Sequence, residues 1–174
     1  SYAYDVMGNL LSGTDSFSSM THSYDNRDRM RTADNSGTPE VPKVVLNYAY
    51  DAASNVLSVT DSIQDVTSGL TAYSYDPLHR VESIRQSGAG VANKRVDFAY
   101  NALSQLQSLT RYSDLTATQR VATTTHTYDA ANRLSSIQHR DATDAVFAFY
   151  DYGYDAASRI TSIDDIDGLT SYQY

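Results

Sequence analysis

Residues Thr127–Ser136 read TYDAANRLSS, and this stretch decides the fold. A tyrosine precedes an aspartate, four residues including Asn132 follow, and the chain then returns to an aliphatic residue and two serines. An aspartate side chain can accept hydrogen bonds from backbone N–H groups two residues further on, which is typical of a tight turn. The stretch therefore predicts two strands joined by a short turn, a β-hairpin.

The same pattern recurs along the whole chain of 174 residues. Successive anchor tyrosines are 20, 26, 25, 25, 28, 26 and 20 residues apart, and such self-similarity is the signature of a repeat protein. The anchors, each numbered position 0 of its repeat, are Tyr4, Tyr24, Tyr50, Tyr75, Tyr100, Tyr128 and Tyr154, with Tyr174 opening an eighth repeat. We interpret residues 1–174 as a single repeat array that is a piece of a longer chain.

The other positions of the repeat carry equally regular residue types. Position +6 is always apolar, position +8 is always serine or threonine, and position -2 is aromatic or histidine. Position +4 holds small or turn-forming residues that tolerate a left-handed backbone. The structural residues at position +1 are Asp5, Asp25, Asp51, Asp76, Asn101, Asp129 and Asp155.

The alternation of large residues at -2 and 0 with a small residue at -1 predicts a strand with one packed face. Positions +1 to +5 then form the turn, and a second strand begins at +6, with +6 and +8 on one face. Position +9 is mostly apolar as well, so either both faces are partly covered or a β-bulge intervenes. Seven hairpins predict fourteen strands, an all-β fold with little or no helix.

The connections between hairpins vary in length and are rich in Gly, Pro, Ser and Asn. We expect Ala33–Pro39 and Gln86–Gly90 to be surface loops on the edge opposite the Tyr-Asp turns. Open sheets of more than about ten strands tend to curl, so the array is expected to form a long curved ribbon that packs tyrosine against tyrosine. Its two free edges favour edge-to-edge self-association.

The repeat resembles the YD repeat, also called the Rhs repeat, most closely in Tyr128–Leu134 and Tyr4–Leu10. The resemblance covers the whole chain, although the usual glycine at +4 is kept only at Gly8. Proteins similar to it include bacterial Rhs effectors, shell subunits of insecticidal toxin complexes, wall-associated proteins and teneurins. The resemblance implies a spiralling β-shell, secreted or at the cell surface, whose partners are the remainder of the shell and an enclosed C-terminal toxin polypeptide.

Composition restricts the other function classes. The net charge is -8 and the 13 Lys and Arg are scattered, which argues against nucleic-acid binding. The absence of cysteine removes thiolate nucleophiles and cysteine-type zinc sites. No apolar run is long enough to span a bilayer as a helix. We predict no cofactor, no metal and no catalytic residue.

Individual polar residues have structural interpretations. His22 and His126 occupy the aromatic slot at -2, whereas His79 is expected in a turn and His139 in a loop. Residues Asp164–Gly168 predict a hairpin turn, because their spacing does not fit a calcium loop. The hydroxyl residues at +8 have no associated base, and the arginines at +5 are placed to stack on a neighbouring tyrosine.

Two functions remain open. The first is a structural segment of a shell that encapsulates or presents a toxin polypeptide. The alternative is an adhesion module that binds carbohydrate or a cell-surface partner through tyrosine-rich faces and variable loops. Of the 15 tyrosines, 13 lie at positions 0 and -2, and only Tyr112 and Tyr150 lie elsewhere. That regularity favours packing over a localised site, and an enzyme is not expected.

Overall fold

The computed structural model describes residues 1–174 and contains fifteen β-strands and no helix, so none could span a membrane. The all-β prediction is confirmed. The strands are β1 (Tyr2–Tyr4), β2 (Leu10–Thr14), β3 (Ser19–Tyr24), β4 (Met30–Asp34), β5 (Val44–Tyr50), β6 (Val56–Ile63), β7 (Val66–Tyr75), β8 (Val81–Gly88), β9 (Val91–Tyr100), β10 (Leu106–Tyr112), β11 (Arg120–Tyr128), β12 (Leu134–Asp141), β13 (Val146–Tyr154), β14 (Ile160–Asp165) and β15 (Gly168–Ser171).

The strands belong to one antiparallel sheet whose order follows the sequence, which confirms the tandem hairpins. The expected count of fourteen was one too low, because the chain turns back after β14 through Ile166 and Asp167 into β15. The hairpin turn predicted within Asp164–Gly168 is therefore confirmed. The chain divides into two compact units, Ser1–Asn93 and Lys94–Tyr174. The curvature of the ribbon stays a prediction.

Several predicted loops are shorter than expected. Strand β8 continues to Gly88 and β9 begins at Val91, so only Ala89 and Gly90 remain of the predicted loop Gln86–Gly90. Similarly, β4 extends to Asp34 and takes in the start of the predicted loop Ala33–Pro39. The placement of His139 in a loop is wrong, because it lies inside β12. Although the composition near these strand ends is typical of loops, backbone pairing with the neighbouring strand continues there.

A β-bulge in every hairpin determines which side chains share a face. In β7–β8, Tyr75 pairs with Val81 and Ser74 pairs with Ser83, which leaves Glu82 at position +7 as the extra residue. The bulge places +6 and +9 on the same face, together with 0 and -2. The interpretation that +6 and +8 share a face is therefore wrong. We call the side with positions -2, 0, +6 and +9 the aromatic face, and the side with -1 and +8 the hydroxyl face.

The aromatic face is only half-buried. No apolar side chain is fully buried, and the buried residues are Gly69 and the two polar residues Ser83 and Thr124, with 2% and 4% exposure. The anchor tyrosines from Tyr24 to Tyr154 are all partly exposed. The packed face predicted for the tyrosines is therefore only partly covered, and each ring keeps part of its surface accessible.

Candidate functional site

The Tyr-Asp turn is held together by its position +1 aspartate. In the sixth repeat, the Asp129 N–H donates to the Arg133 carbonyl at 2.8 Å, and the Asn132 N–H donates to the Asp129 carbonyl at 2.9 Å. Oδ1 of Asp129 accepts hydrogen bonds from the N–H groups of Ala131 and Arg133, both at 2.9 Å. The first of these bonds, from two residues further on, confirms the predicted Asx-type turn.

Position +4 has a left-handed backbone in every repeat, as predicted. After the bond from the +4 N–H to the +1 carbonyl, this conformation directs the chain back so that the +5 carbonyl meets the +1 N–H, and glycine and asparagine adopt it at the lowest cost. The φ angles are 90° at Gly8, 58° at Asp28, 71° at Ser54, 61° at His79, 62° at Ser104, 61° at Asn132 and 63° at Ser158.

A polar side chain at +5 binds the second oxygen of the aspartate. Arg29 donates to Oδ2 of Asp25 from Nε at 2.8 Å and forms an ion pair through Nη2 at 2.7 Å. The side-chain hydrogen bond from Arg29 is the largest cause that lowers the pKa of Asp25, to about 2. In the first repeat, Asn9 replaces the arginine and donates from Nδ2 to Asp5 at 2.9 Å. The carboxylates are therefore ionised at neutral pH, with both oxygens engaged.

The anchor tyrosine links its hairpin to the preceding one. Between repeats, strand pairing stops at position +8, which pairs with -3 of the next repeat, as Ser58 pairs with Ala72. The carbonyl at +6 lies beyond this last pair. There the hydroxyl of the next anchor tyrosine donates to it, at 3.0 Å for Tyr24–Leu10, 2.8 Å for Tyr50–Met30, 2.9 Å for Tyr75–Val56, 2.9 Å for Tyr128–Leu106 and 2.7 Å for Tyr154–Leu134. We call this contact the tyrosine clamp.

The side chain at +5 reinforces the same junction. Arg29 Nη1 donates to the Asp51 carbonyl at 3.0 Å, and its guanidinium carbon lies 4.5 Å from the ring centroid of Tyr50. Arg133 repeats both contacts with Asp155 and Tyr154, at 3.1 Å and 4.5 Å. The predicted stacking of arginine on a neighbouring tyrosine is thus confirmed at these positions. At these two junctions, the turn is therefore joined to the next one by a hydroxyl, a guanidinium and an aromatic ring.

The difference between positions 0 and -2 is the signal in the sequence that points to the tyrosine clamp. Position 0 is tyrosine in every repeat, whereas position -2 also accepts Phe98, His22 and His126. Packing alone would tolerate phenylalanine at both positions. The strict requirement at position 0 is explained by the hydroxyl, which phenylalanine lacks.

The two histidines at -2 lie on the aromatic face. His22 pairs with Ala33, and His126 pairs with Ile137. The Nδ1 atom of each ring is buried without a hydrogen-bond partner. Burial, and secondarily the charge of His139, lowers the pKa of His126. Both rings therefore fill the aromatic slot, and no group of three or more His, Cys, Asp or Glu residues is placed to hold a metal ion.

Comparison with solved structures connects this fold to toxin complexes. The chain is similar to a chain of the TcdB2-TccC3-Cdc42 crystal structure, with a TM-score of 0.57 and 18% identity over 91% of this chain and 10% of that chain. It is also similar to a chain of the Photorhabdus luminescens Tc holotoxin pore, with a TM-score of 0.51 and 15% identity over 94% of this chain and 12% of that chain.

The likeness to these structures concerns the fold. The chain spans about a tenth of the length of the solved chains that it matches. No family model matches the sequence, and no curated protein sequence matches it. The tandem-hairpin sheet of this protein is therefore of the kind found within Tc toxin components.

Proposed function

We propose that this chain is a structural segment of a YD-repeat shell, without enzymatic activity, whose parent protein encloses or presents a C-terminal toxin polypeptide. The observation that carries the proposal is the tyrosine clamp. It repeats in both compact units with the same donor, the same acceptor and distances between 2.7 and 3.0 Å. Such repetition is suited to joining hairpins, because a catalytic centre needs one distinctive arrangement of residues rather than many equal ones.

The chemistry of the Tyr-Asp turn supports a structural role. An aspartate acting as a general base or nucleophile needs a free lone pair directed at a substrate. In Asp25 and Asp129, Oδ1 caps backbone N–H groups and Oδ2 binds an arginine. The turn aspartates are therefore suited to fixing the turn and unsuited to reacting.

The proposed setting follows from the fold comparison. The structures that this chain resembles are those of TcdB2-TccC3-Cdc42 and of a Tc holotoxin pore, and the resemblance of the repeat is to the YD family. We therefore propose that the chain is secreted or exposed at a cell surface, with the rest of the shell and an enclosed polypeptide as its partners.

Limited proteolysis of the natural gene product that carries residues 1–174 tests the proposal. In the intact protein, the polypeptide that follows the repeats should resist proteinase K, and electron microscopy should show hollow particles. Replacing clamp tyrosines, as in the double variant Tyr75→Ala and Tyr128→Ala, should open the particle and expose that polypeptide. The variant Tyr112→Ala is the matched control, because this tyrosine lies outside the repeat positions.

Equal digestion of the polypeptide in the intact protein and in the opened variant would contradict enclosure. Solid or extended particles would contradict a shell. An adhesion module would instead depend on an exposed recognition surface.

A further inference from the structure

Two of the four histidines lie close together on the aromatic face of the unit Lys94–Tyr174. His126 in β11 pairs with Ile137, and His139 in β12 pairs with Thr124. Thr124 and His126 are neighbours on one strand face, so the two imidazoles are diagonal neighbours across β11–β12. We call His126 and His139 the histidine pair. Because histidine ordinarily gains its charge between about pH 8 and about pH 5, mild acid would place two positive charges side by side here.

A chain of hydrogen bonds holds His139 in its neutral form. Arg111 Nη1 donates to Oγ1 of Thr124 at 3.0 Å, and Oγ1 lies 2.9 Å from Nδ1 of His139. A guanidinium has no acceptor atom, so the hydroxyl accepts from the arginine and donates its own proton to Nδ1. Protonation of His139 would put a hydrogen on this nitrogen and remove the acceptor of the Thr124 hydroxyl. Thr124 is only 4% exposed, so water has little access to replace that acceptor.

The surroundings of His126 also oppose protonation. Its Nδ1 atom is buried and has no hydrogen-bond partner. A protonated imidazole carries a hydrogen on both ring nitrogens, so protonation would leave a buried, charged donor without an acceptor. Burial, and secondarily the charge of His139, accordingly lowers the pKa of His126. The paired strands therefore hold this imidazole in its neutral form as well.

The adjoining strands do not offer a negative charge to the histidine pair. Strand β10 contributes the guanidinium of Arg111, which would repel a further cation. Strand β11 contributes Tyr128, whose hydroxyl is engaged in the tyrosine clamp. Strand β13 contributes Tyr152 and Tyr150, and the Tyr150 ring meets the imidazole of His139 edge-on with 6.3 Å between the centroids. These groups therefore disfavour a protonated pair or leave it without a counter-charge.

The nearest carboxylates on this face are engaged or distant. Asp141 follows His139 by two residues on β12, and its Oδ1 accepts hydrogen bonds from the N–H groups of Thr143 and Ala145. Asp165 lies on β14, with β13 between it and the histidine pair. Both carboxylates are therefore poorly placed to stabilise protonated imidazoles.

We propose that the histidine pair makes the pairing of β11 with β12 acid-sensitive, so that protonation of the two imidazoles loosens these strands in mild acid. Once the strands separate, the imidazoles are hydrated and take up protons near their ordinary pKa of about 6.5. The stability that depends on their neutral form is therefore fully present above about pH 6.5 and is lost as the pH falls below it. The inference concerns the sheet itself and does not depend on the proposed shell function.

Hydrogen exchange of residues 1–174 between about pH 7.5 and about pH 5 tests the proposal, because Asp and Glu keep their charge over this range. Exchange is expressed as protection factors, which correct for the intrinsic effect of pH on amide exchange. One histidine that is neutral in the paired strands and protonated after opening can lower protection by up to about thirtyfold. Protection in β11 and β12 should fall at least about fivefold. Strands β5 and β6, which contain no histidine, should change by less than about twofold.

Replacements taken from other repeats remove the titrating groups. His126→Phe copies Phe98, which fills position -2 of the fifth repeat, and His139→Gln copies Gln86, which stands at position +11 of the fourth. The double variant should lose the acid response of β11 and β12, with circular dichroism verifying its fold. His22→Phe is the matched control, because it changes the same aromatic slot in the other unit, and it should keep that response.

The ¹⁵N resonances of the imidazoles provide a second measurement on the unaltered chain. The histidine pair should become protonated together with the loss of protection in β11 and β12. Independent titration near pH 6.5 with both strands still protected would overturn the proposal. An unchanged acid response in the folded double variant, the loss of that response in His22→Phe, or an equal loss of protection in β5 and β6 would overturn it as well.

Discussion

Replacing Tyr75 by phenylalanine isolates the tyrosine clamp from the packing of the ring. The Tyr75 hydroxyl donates to the Val56 carbonyl at 2.9 Å, and this carbonyl lies beyond the last backbone pair between β6 and β7. Phenylalanine keeps the ring on the aromatic face and leaves the carbonyl without its donor. The experiment therefore asks what the hydroxyl contributes to the junction of two repeats.

The expected loss follows from general magnitudes. A neutral hydrogen bond contributes about 0.5–1.5 kcal/mol net, and Tyr75 is half-buried, so Tyr75→Phe should destabilise by about 1 kcal/mol. Tyr75→Ala removes the ring as well. If about 100 Å² of ring surface is covered, half of what a large aromatic residue buries, the ring contributes about 2.5 kcal/mol at about 25 cal/mol per Å². The alanine variant should then lose about 3.5 kcal/mol in total.

Urea unfolding followed by circular dichroism measures these losses. Because repeat arrays lose structure locally, hydrogen exchange of the β6 and β7 amides should show the change concentrated at this junction. The control is Tyr73→Phe, two residues earlier on the same face of β7. The Tyr73 hydroxyl makes no clamp, so this change should stay within about 0.5 kcal/mol of the unaltered chain.

The clamp would be refuted as a stabilising contact if Tyr75→Phe and Tyr73→Phe had the same free energy of unfolding. A loss in Tyr75→Ala below about 1 kcal/mol would additionally mean that the ring is a surface residue. Faster exchange spread evenly over all strands would argue against a local junction.

Three further predictions concern the turns and the glycines. The free energy of unfolding should fall as the pH drops from about 4 to about 2, because Asp25 has a pKa near 2 when folded and 3.8 when unfolded. In the variant Asp25→Asn, the free energy of unfolding should depend less on pH over this range. Gly8 has a φ of 90° and no atom lies near a Cβ added there, so Gly8→Ala should lower the free energy of unfolding by about 1 kcal/mol. In Gly88→Ala the added Cβ would collide with backbone atoms of the partner strand, and the loss should be about 3 kcal/mol or more. Thermal unfolding measures both losses. Arg29→Lys loses the forked ion pair and the stack over the next tyrosine, and urea unfolding should show a loss of about 1 kcal/mol, which salt diminishes.

The turn could be predicted from sequence because its causes are local. The cap made by Asp129 and the left-handed backbone at Asn132 depend on residues within five positions of each other. Side-chain length and backbone sterics decide such contacts without reference to other strands. The same reasoning applies to the hairpin at Asp164–Gly168, where the acidic run ended a strand as expected.

The faces of the sheet could not be predicted because they depend on cross-strand register. The extra residue at +7, exemplified by Glu82, reverses the alternation after position +6. Sequence offered two interpretations of the apolar residue at +9, and only the pairing of Tyr73 with Ile84 decided between them. The tyrosine clamp was missed for a related reason, since it joins Tyr75 to Val56, which lie in different repeats.

The strand position of His139 escaped prediction because the repeat pattern describes only the positions that recur. Sequence predicts a loop at His139 and leaves Tyr150 outside the pattern, whereas both lie in strands and face the same side. In a repeat array, the recurring residues define the pattern, and the placement of a residue that departs from it is decided by strand pairing.

The geometry of the junctions explains how the hairpins tolerate connections of different length. Anchor spacings range from 20 to 28 residues, yet strand pairing at the described junctions always ends with +8 opposite -3, as in Ser12–Thr21 and Ser136–Asp151. The clamp then satisfies the one carbonyl left beyond that pair. Insertions are therefore absorbed at the opposite edge without shifting the register. Loops can thus diversify while every Tyr-Asp turn keeps the same structure, so differences between repeats are expected in the loops rather than in the turns.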